Sequence, residues 1–358
     1  MNRSLLSQRF RAALELGPGE LAVAAGFEHP DRGPVRCPAA GLVAAGLAGQ
    51  GRRVRLERVR VEPAEAALGE GDVAVFAACY LDPRGAAVGF AVAARRDDRE
   101  SLEAARRTVA DWASVLRTRQ ILVAGTDAVE AACPHVQQVQ ATARTFAERG
   151  DSVILIGRGT DLAAAETTAA ILAHTRGHGL LVRDGGEVDS LLVPDPQRVA
   201  FVLLPGLPVE DAAPVIEALR ARFGRLPGQH PEQFCYAASD RRAALASVAQ
   251  CADVLLVLGA RDDPQAAQLL GWSAGHRAER HLLDDARRIP RHPLRGAATV
   301  GIAPAPSAGP GLLDEVLEAL SGLGPTAVSR RTVTTGRLSP AAARTRRDRL
   351  SQTTYVGV

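Results

Sequence analysis

The sequence predicts an α/β protein whose sheets are mostly parallel. Runs of β-branched and other apolar residues recur along the chain, and several are continuous enough for strands that are covered on both faces. Segments with helical periodicity alternate with these runs, and such alternation favours parallel sheets with helices on their faces. Hydrophobic residues make up 46% of the 358 residues but aromatic residues only 4%, which favours a core of alanine, valine and leucine.

The predicted elements follow one another along the whole chain. Amphipathic helices are predicted at 208–224 and 309–324, and after each of Cys37, Cys133 and Cys235. The predicted strands are 20–27, 72–80, 87–94, 119–125, 151–157, 179–184, 198–206, 252–260 and 297–305.

Composition and charge exclude several classes of protein. All 43 basic residues are arginine, and they are scattered among 40 acidic residues with a net charge of +3, so no nucleic-acid surface is predicted. No apolar run reaches the roughly 18 residues of a membrane span, and the first residues lack a signal peptide's apolar region. We therefore expect a soluble cytoplasmic protein without a membrane partner, whose five cysteines are not a disulfide framework.

Three of the five cysteines stand at the start of a predicted helix. Cys37, Cys133 and Cys235 are separated by 96 and 102 residues, and proline follows the first two of them at the favoured first helical position. The free N–H groups and partial positive charge of a helix N-terminus favour a thiolate, which is the form that binds metal. Three converging thiolates would suit an iron–sulfur cluster with one iron left open. Simple burial of three unrelated cysteines is the alternative.

Several separate motifs resemble one known family. The segment EAACPHVQQVQATARTFAERGDSVILIG, residues 130–157, resembles DATCPLVTKVH…ILIG of the 4-hydroxy-3-methylbut-2-enyl diphosphate reductases, the IspH/LytB family. EQFCYAASDRRAALASVAQCADVLLVLG, residues 232–259, is similar to that family's DICYATQNRQ…LVVGS. HLLDDARRIP and VGIAPAPSAGPGLLDEVLEAL match its IDDADEI and VGITAGASTP. The resemblance is collinear from 120 to 325 and weak from 20 to 119.

The resemblance implies a three-lobed trefoil of small α/β domains, with parallel or mixed sheets, around a central 4Fe-4S cluster. One cysteine from each lobe, Cys37, Cys133 and Cys235, would hold the cluster. Members of the family remove an allylic hydroxyl group from a C5 diphosphate in isoprenoid biosynthesis, with electrons from a ferredoxin or flavodoxin. The predicted divisions are an N-terminal lobe at 1–119, a middle lobe at 120–197, a C-terminal lobe at 198–328 and a basic, flexible tail at 329–358.

The residues that bind substrate in the family are mostly replaced here. Leu162 stands where the family has its proton-relaying glutamate, so no catalytic residue is assigned, and Cys79 stands where it has a histidine. Asp263 replaces diphosphate-binding hydroxyls, and its charge is expected to repel a diphosphate. The candidate substrate residues are Arg158, Thr160, Arg261, Asp263 and Ser307.

Three functions remain open from the sequence. The first is an iron–sulfur reductase of this family that acts on an altered small-molecule substrate, less anionic than a diphosphate or anchored by Arg158 or Arg261. The second is an orthodox 4-hydroxy-3-methylbut-2-enyl diphosphate reductase with an unusual pocket. The third is a non-catalytic iron–sulfur protein that serves as a sensor or a partner subunit.

Overall fold

The computed structural model describes residues 6–62, 72–125, 134–158, 168–173 and 179–335, which form three sheets of six, three and five strands. The predicted α/β class is confirmed, and each of the nine predicted strand runs contains a strand. The strands are β1 Leu6–Ala13, β2 Glu20–His29, β3 Gly33–Arg36, β4 Arg53–Arg60, β5 Asp72–Leu81, β6 Ala87–Arg95, β7 Arg119–Gly125, β8 Ser152–Ile156, β9 Gly179–Val182, β10 Val199–Leu203, β11 Val254–Leu258, β12 Glu279–Leu283, β13 Thr299–Pro304 and β14 Thr326–Thr332.

Helices connect and cover these strands. A further helical stretch occupies 168–173, and a 3-10 turn at Pro231–Gln233 precedes Cys235. No helix in the described part of the chain is long and apolar enough to cross a membrane. The helices are α1 Ala40–Ala48, α2 Arg99–Ala113, α3 Pro134–Glu148, α4 Val209–Arg222, α5 Ala237–Ala249, α6 Pro264–Trp272, α7 Arg291–Leu294 and α8 Leu312–Ser321.

The described residues up to 113 form an N-terminal module built on a mixed sheet. Its strand order is β1-β5-β6-β3-β2-β4, and α1 and α2 pack against the sheet. The chain just after β4 returns to the opposite edge, where Arg11 N donates to Glu62 O at 3.0 Å and Glu62 N donates to Arg11 O at 2.8 Å. The sheet therefore curls toward closure, so that one face becomes an interior filled largely by alanine.

Two apolar runs of this module are antiparallel, although their continuous hydrophobicity is typical of parallel strands. Strands β5 and β6 pair from Val73↔Arg95 to Leu81↔Ala87. The connection at 82–86 is a tight turn, in which Asp82 N donates to Ala86 O at 2.9 Å and Gly85 has φ of 82°. A parallel crossover needs roughly a dozen residues. The short connection therefore decides the direction of β6, and the near-complete burial of the strand explains its apolar sequence.

The other two sheets are entirely parallel. The three-stranded sheet has the order β10-β8-β9, and the five-stranded sheet has the order β12-β11-β13-β7-β14. Strand β7 joins the five-stranded sheet, although its residues fall within the predicted middle lobe. Strand β14 ends at Thr332, so the structure corrects the expectation that a flexible tail begins at residue 329. The rest of that predicted tail, from 336, lies outside the described residues.

The five-stranded sheet is covered on both faces. One face, with Ile121, Val300 and Ile302, shares a single hydrophobic core with the N-terminal module and α8. The other face, with Leu122, Leu255 and Val257, packs on α5 and α6. Burial on both faces explains why β7, β11 and β13 are almost uninterrupted apolar runs.

Candidate functional site

The carboxyl edges of the two parallel sheets meet at the N-terminal ends of α4 and α5. Ser239 of α5 accepts a hydrogen bond from Val209 N and donates one to Glu210, each at 2.9 Å. Arg242 donates to Asp211 at 2.7 Å. Since α4 follows the last residues of β10 and α5 begins beyond the end of β14, these bonds join the two edges. We call this region the sheet junction, and it is where α/β proteins commonly bind ligands.

The position of α5 is fixed by the chain that leaves β14. Thr335, three residues after β14, donates from its backbone N–H to Asp240 at 2.9 Å and from its hydroxyl at 2.5 Å. The last pair of the β14–β7 ladder is Thr332↔Gly125, so Asp240 lies at the carboxyl edge of the five-stranded sheet. The first turn of α5 and the residues just before it therefore belong to the sheet junction.

Cys235 lies in the sheet junction, just before α5. It stands two residues before α5, its side chain is 6% exposed, and it is in no disulfide. The preceding turn at Pro231–Gln233 contacts α3. Helix α3 runs antiparallel to β8, so its first residue, Pro134, lies at the carboxyl end of that strand. Cys133 directly precedes Pro134 but lies outside the described residues.

Cys37 lies in different surroundings, beside Cys79. Strands β3 and β6 pair at Arg36↔Val88, and β5 and β6 pair at Cys79↔Gly89. Continuing β3 by one residue brings Cys37 alongside Gly89, so both thiols lie on one face of the sheet with a glycine between them. Burial, and to a lesser extent the nearby Cys79, raise the pKa of the Cys37 thiol to about 12. Burial thus opposes the stabilisation of a thiolate that the following helix is expected to give.

The thiols of Cys37 and Cys79 lie toward the other edge of the five-stranded sheet. Tyr80, next to Cys79, donates its hydroxyl hydrogen bond to Ser321 O and accepts one from Gly324 N at 3.2 Å. Both partners precede β14, whose seven residues span about 20 Å. Cys235 lies beyond the opposite end of that strand. Among the described residues, no group of three or more His, Cys, Asp or Glu is arranged to hold a metal ion, and the convergence of three cysteines stays a prediction.

Two candidate substrate residues, Asp263 and Ser307, contact each other. Asp263 is 9% exposed and caps α6 by accepting hydrogen bonds from Gln265 N at 2.9 Å and Ala266 N at 3.1 Å. Ser307 donates its hydroxyl hydrogen bond to the same carboxylate. The expectation that the charge of Asp263 faces a bound anion is therefore corrected, because the carboxylate turns inward to cap a helix.

A glycine makes room for this cap. A Cβ at Gly259 would lie 2.8 Å from Ala266 Cβ and 3.2 Å from the Asp263 carboxylate. The loop after β11 therefore packs closely on α6 only because residue 259 has no side chain. The Asp263–Ser307 pair spans the gap between the adjacent strands β11 and β13, at the carboxyl edge.

Two exposed arginines are the available cations among the candidates. Arg158 follows β8 and Arg261 follows β11, both at carboxyl edges. Neither makes a hydrogen bond or an ion pair with the described residues, so their guanidinium groups are open to an anionic ligand. Two other predicted positions, Thr160 and Leu162, lie outside the described residues.

Sequence reasoning missed the polar network that joins α4 and α5. Glu210, Asp211, Ser239 and Arg242 were not assigned a role, although VED directly follows a predicted strand loop and SDR follows Cys235. Polar residues in the first turn of a helix after a strand are a signal for this edge of a sheet. Only the tertiary structure shows that the two first turns touch.

Comparisons with known proteins agree on one family. A model of the family described as LytB protein matches residues 114–321, which is more than half of the 358 residues. A relative named 4-hydroxy-3-methylbut-2-enyl diphosphate reductase 2, from Mycobacterium bovis, is 34% identical over 212 residues, which cover 59% of this chain and 63% of the relative. A 4-hydroxy-3-methylbut-2-enyl diphosphate reductase from Burkholderia pseudomallei is 32% identical over 207 residues, which cover 57% of this chain and 64% of the relative.

One solved structure is similar over a larger share of the chain. It is the E-1-hydroxy-2-methyl-but-2-enyl-4-diphosphate reductase of Plasmodium falciparum, at 17% identity and a TM-score of 0.47, covering 63% of this chain and 76% of that one. The chain spans less than two thirds of the length of the first curated relatives it matches. The matched region begins at 114, directly after α2, and thus excludes the N-terminal module. This chain belongs to the LytB protein family, whose model matches residues 114–321, more than half of its length.

Proposed function

We propose that the protein is an iron–sulfur oxidoreductase that reduces a small molecule at the sheet junction. The observation that carries the proposal is the meeting of two parallel carboxyl edges, with Cys235 buried between them, inside the region that matches the LytB family. The curated relatives of this region are named as reductases. A ferredoxin or flavodoxin is the proposed electron donor.

The residues of the junction fit an iron–sulfur cluster in part. Cys235 supplies one thiol, and Cys133, which directly precedes α3 in the sequence, is the proposed second ligand. Thiolates are the ligands that iron–sulfur clusters take from proteins. The third predicted ligand, Cys37, is placed with Cys79 at the opposite edge of the five-stranded sheet. When bound, a 4Fe-4S cluster supplies electrons and, at an iron without a protein thiolate, a Lewis acid for a hydroxyl group.

The side chains at the carboxyl edges favour a substrate that an arginine can anchor. Arg158 and Arg261 are exposed and without partners in the described chain, so each can donate a bidentate pair of hydrogen bonds to a carboxylate or phosphate. Ser307 already donates its hydrogen to Asp263 and offers a ligand only an acceptor oxygen. The Asp263–Ser307 pair therefore offers a diphosphate no hydroxyl donor, and its carboxylate is occupied by the start of α6.

Proton transfer is the second point at which the site differs from the family pattern. Leu162 stands at the position of the family's relaying glutamate, and an aliphatic side chain cannot move a proton. Loss of such a group costs about 10²–10⁴ in rate. We therefore propose an altered substrate, and the orthodox reduction of 4-hydroxy-3-methylbut-2-enyl diphosphate is the second candidate, favoured by the names of the curated relatives.

Anaerobic reconstitution with iron and sulfide tests the cluster. We expect bound iron and visible absorption in the unaltered protein, and loss of most of both in Cys235→Ser and Cys133→Ser. Cys251→Ser is the matched control, because Cys251 is exposed at the far end of α5. Full iron content in Cys235→Ser would remove the cluster from the sheet junction.

Turnover separates the functional candidates. With a reduced viologen as electron donor, we expect the holo-protein to reduce 4-hydroxy-3-methylbut-2-enyl diphosphate negligibly and to change its spectrum with a less anionic hydroxylated compound. Turnover of the diphosphate at ordinary enzymatic rates, about 1 s⁻¹ or more, would establish the orthodox function instead. An unchanged spectrum with every small molecule would favour a non-catalytic role.

A further inference from the structure

A cavity of about 620 Å³ lies between the N-terminal module and the family-matched region. Helices α1 and α2 line one side, and residues 285–291, which follow β12, line the other. None of its lining residues belongs to the sheet junction. Its volume is within the range of about 300–1,000 Å³ that is usual for small-molecule sites.

One wall of the cavity is apolar. Leu42 and Ala45 of α1 line it together with Ile289 from the other side. Gly46 of α1 also lines it, and a Cβ at that position would lie 3.9 Å from Trp112 Nε1. The small residues of α1 therefore leave room beside the edge of the indole ring.

Trp112 contributes its indole ring to the lining of the cavity. Its side chain is 5% exposed, and it lines the cavity from α2. The indole Nε1 makes no hydrogen bond to any described residue. This N–H lies beside Gly46, which also lines the cavity, so it is available to a ligand there. Thr108 and Gln50, which carry further polar groups, line the same cavity.

The cavity is lined by three arginines and one aspartate. They are Arg287, Arg288 and Arg291, and the carboxylate is that of Asp285. Asp285 is held by Arg287 through bonds of 2.7–3.0 Å, and hydrogen bonds from Arg287 are the main reason why the pKa of Asp285 is lowered. It therefore stays ionised and is neutralised by its own neighbour.

The other two arginines keep donors to spare. Arg288 pairs with Asp284 at 2.9 Å and Arg291 pairs with Asp111 at 2.5 Å, and neither aspartate lines the cavity. A guanidinium group has five N–H donors, of which such a pair uses two or three. Exposed ion pairs also hold their partners weakly. The lining thus presents guanidinium N–H donors, from groups that are each paired with one aspartate, beside an apolar wall.

We propose that this cavity binds a small amphiphilic anion, an organic phosphate that carries a short apolar group. The planar guanidinium groups match phosphate oxygens, the apolar wall receives the hydrocarbon, and the Trp112 N–H donates to an oxygen between them. The site is independent of the function proposed for the sheet junction, since it shares no residue with it. Its position ties the N-terminal module to the family-matched region.

Tryptophan fluorescence tests the proposal without a cluster. The chain has two tryptophans, so in Trp272→Phe all tryptophan emission comes from Trp112. Titration with pentyl phosphate is expected to change this emission saturably, and calorimetry should give the same affinity. Inorganic phosphate and pentanol, which each supply half of the ligand, should bind at least roughly tenfold more weakly.

Two sets of variants locate the binding. Arg287→Gln with Arg288→Gln should weaken pentyl phosphate by about tenfold or more, as expected for lost charge-assisted bonds. Arg106→Gln is the matched control, since Arg106 also forms a close ion pair but lies outside the cavity. Gly46→Leu should abolish binding by filling the space, with circular dichroism to confirm folding. No saturable signal at millimolar pentyl phosphate, equal weakening by Arg106→Gln, or full binding by folded Gly46→Leu would each overturn the proposal.

Discussion

At the residue scale, Cys37 has opposite expectations from sequence and from structure. Its motif, a cysteine before proline and a helix, predicts a cluster ligand together with Cys133 and Cys235. The structure buries it to 7% exposure beside Cys79, at the edge of the five-stranded sheet where strands begin. The pattern of a cysteine before a helix thus occurs at two different edges of the five-stranded sheet, one for Cys37 and the other for Cys235.

Iron content distinguishes the two expectations for Cys37. From its position we expect Cys37→Ser to keep most of the iron that reconstitution gives the unaltered protein, whereas Cys235→Ser loses it. Cys79→Ser should behave as Cys37→Ser does, because the two thiols share one site. Iron loss in Cys37→Ser equal to that in Cys235→Ser would make Cys37 a ligand, and would require the N-terminal module to approach the sheet junction.

Asp263 is the residue whose role changed most between sequence and structure. Its carboxylate accepts two backbone hydrogen bonds at the start of α6 and one from Ser307. We expect Asp263→Ala to lower the free energy of unfolding by about 1–2 kcal/mol, the usual cost of a lost N-cap. Urea denaturation measures it. Asp263→Asn, which keeps an acceptor, is the control and should lose less. Equal stability of Asp263→Ala and the parent would show that the cap contributes nothing.

At the element scale, strand β6 shows that an apolar pattern predicts a buried strand but not the direction in which it pairs. Both β5 and β6 are apolar throughout, as parallel strands usually are, and yet they pair in opposite directions across a short turn. The turn residues LDPRGA were visible in the sequence, and a short connection already excludes a parallel pair. Five strands were not predicted, because they are short or because arginines and other polar residues interrupt their apolar pattern; they are β1, β3, β4, β12 and β14.

Gly89 gives this hairpin a strict steric requirement. A Cβ at Gly89 would lie 2.3 Å from Ala78 O and 2.8 Å from Cys79 Cβ, closer than any side chain tolerates. We expect Gly89→Ala to destabilise the protein by about 1–3 kcal/mol, the usual cost of overpacking, as a lower midpoint of thermal or urea unfolding. Gly271→Ala is the control, since nothing lies within 4 Å of its Cβ and helix propensity favours alanine by up to about 1 kcal/mol. Unchanged stability in Gly89→Ala would contradict the close strand approach.

At the scale of the whole molecule, buried polar contacts join segments that are far apart in the chain, and the contact of Tyr80 joins the N-terminal module to the rest of the chain. Arg119, at the start of β7, is 1% exposed and donates to Leu323 O at 2.7 Å and Leu294 O at 2.9 Å. Burial is the main reason why its pKa falls to about 10. Tyr80 makes the second connection, from β5 to the chain between α8 and β14. These contacts satisfy carbonyl groups that a hydrophobic interface would leave unpaired.

Tyr80→Phe tests this connection through pH. Burial raises the pKa of the Tyr80 hydroxyl to about 12, while an exposed tyrosine titrates near 10. Between pH 10 and 12 the folded protein therefore keeps a proton that the unfolded chain loses, so stability falls as the pH rises. Tyr80→Phe should lose about 1 kcal/mol at pH 7 from its two hydrogen bonds. It should then lose less further stability than the parent between pH 10 and 12.

The measurement is urea unfolding of both proteins across that pH range. The expected difference between their slopes corresponds to at most roughly 2–3 kcal/mol over two pH units. Tyr236→Phe is the comparison variant, because burial raises the pKa of Tyr236 as well but its hydroxyl makes a long hydrogen bond, at 3.4 Å, within the sheet junction; an effect common to both variants does not report on the Tyr80 contact. Parallel pH profiles for Tyr80→Phe and the parent would show that the Tyr80 hydroxyl is not buried between the two parts.

The sequence by itself determined the α/β class, the positions of the main strands and the family resemblance from 120 to 325, because these depend on local patterns of apolar residues and short motifs. Only the tertiary structure decided that β7 and β14 share one sheet, that Asp263 turns inward, and that Cys37 lies beside Cys79. Each of those facts depends on contacts between residues far apart in the chain. A helix start has the same local sequence wherever it packs, so its neighbours are set by the packing of whole sheets.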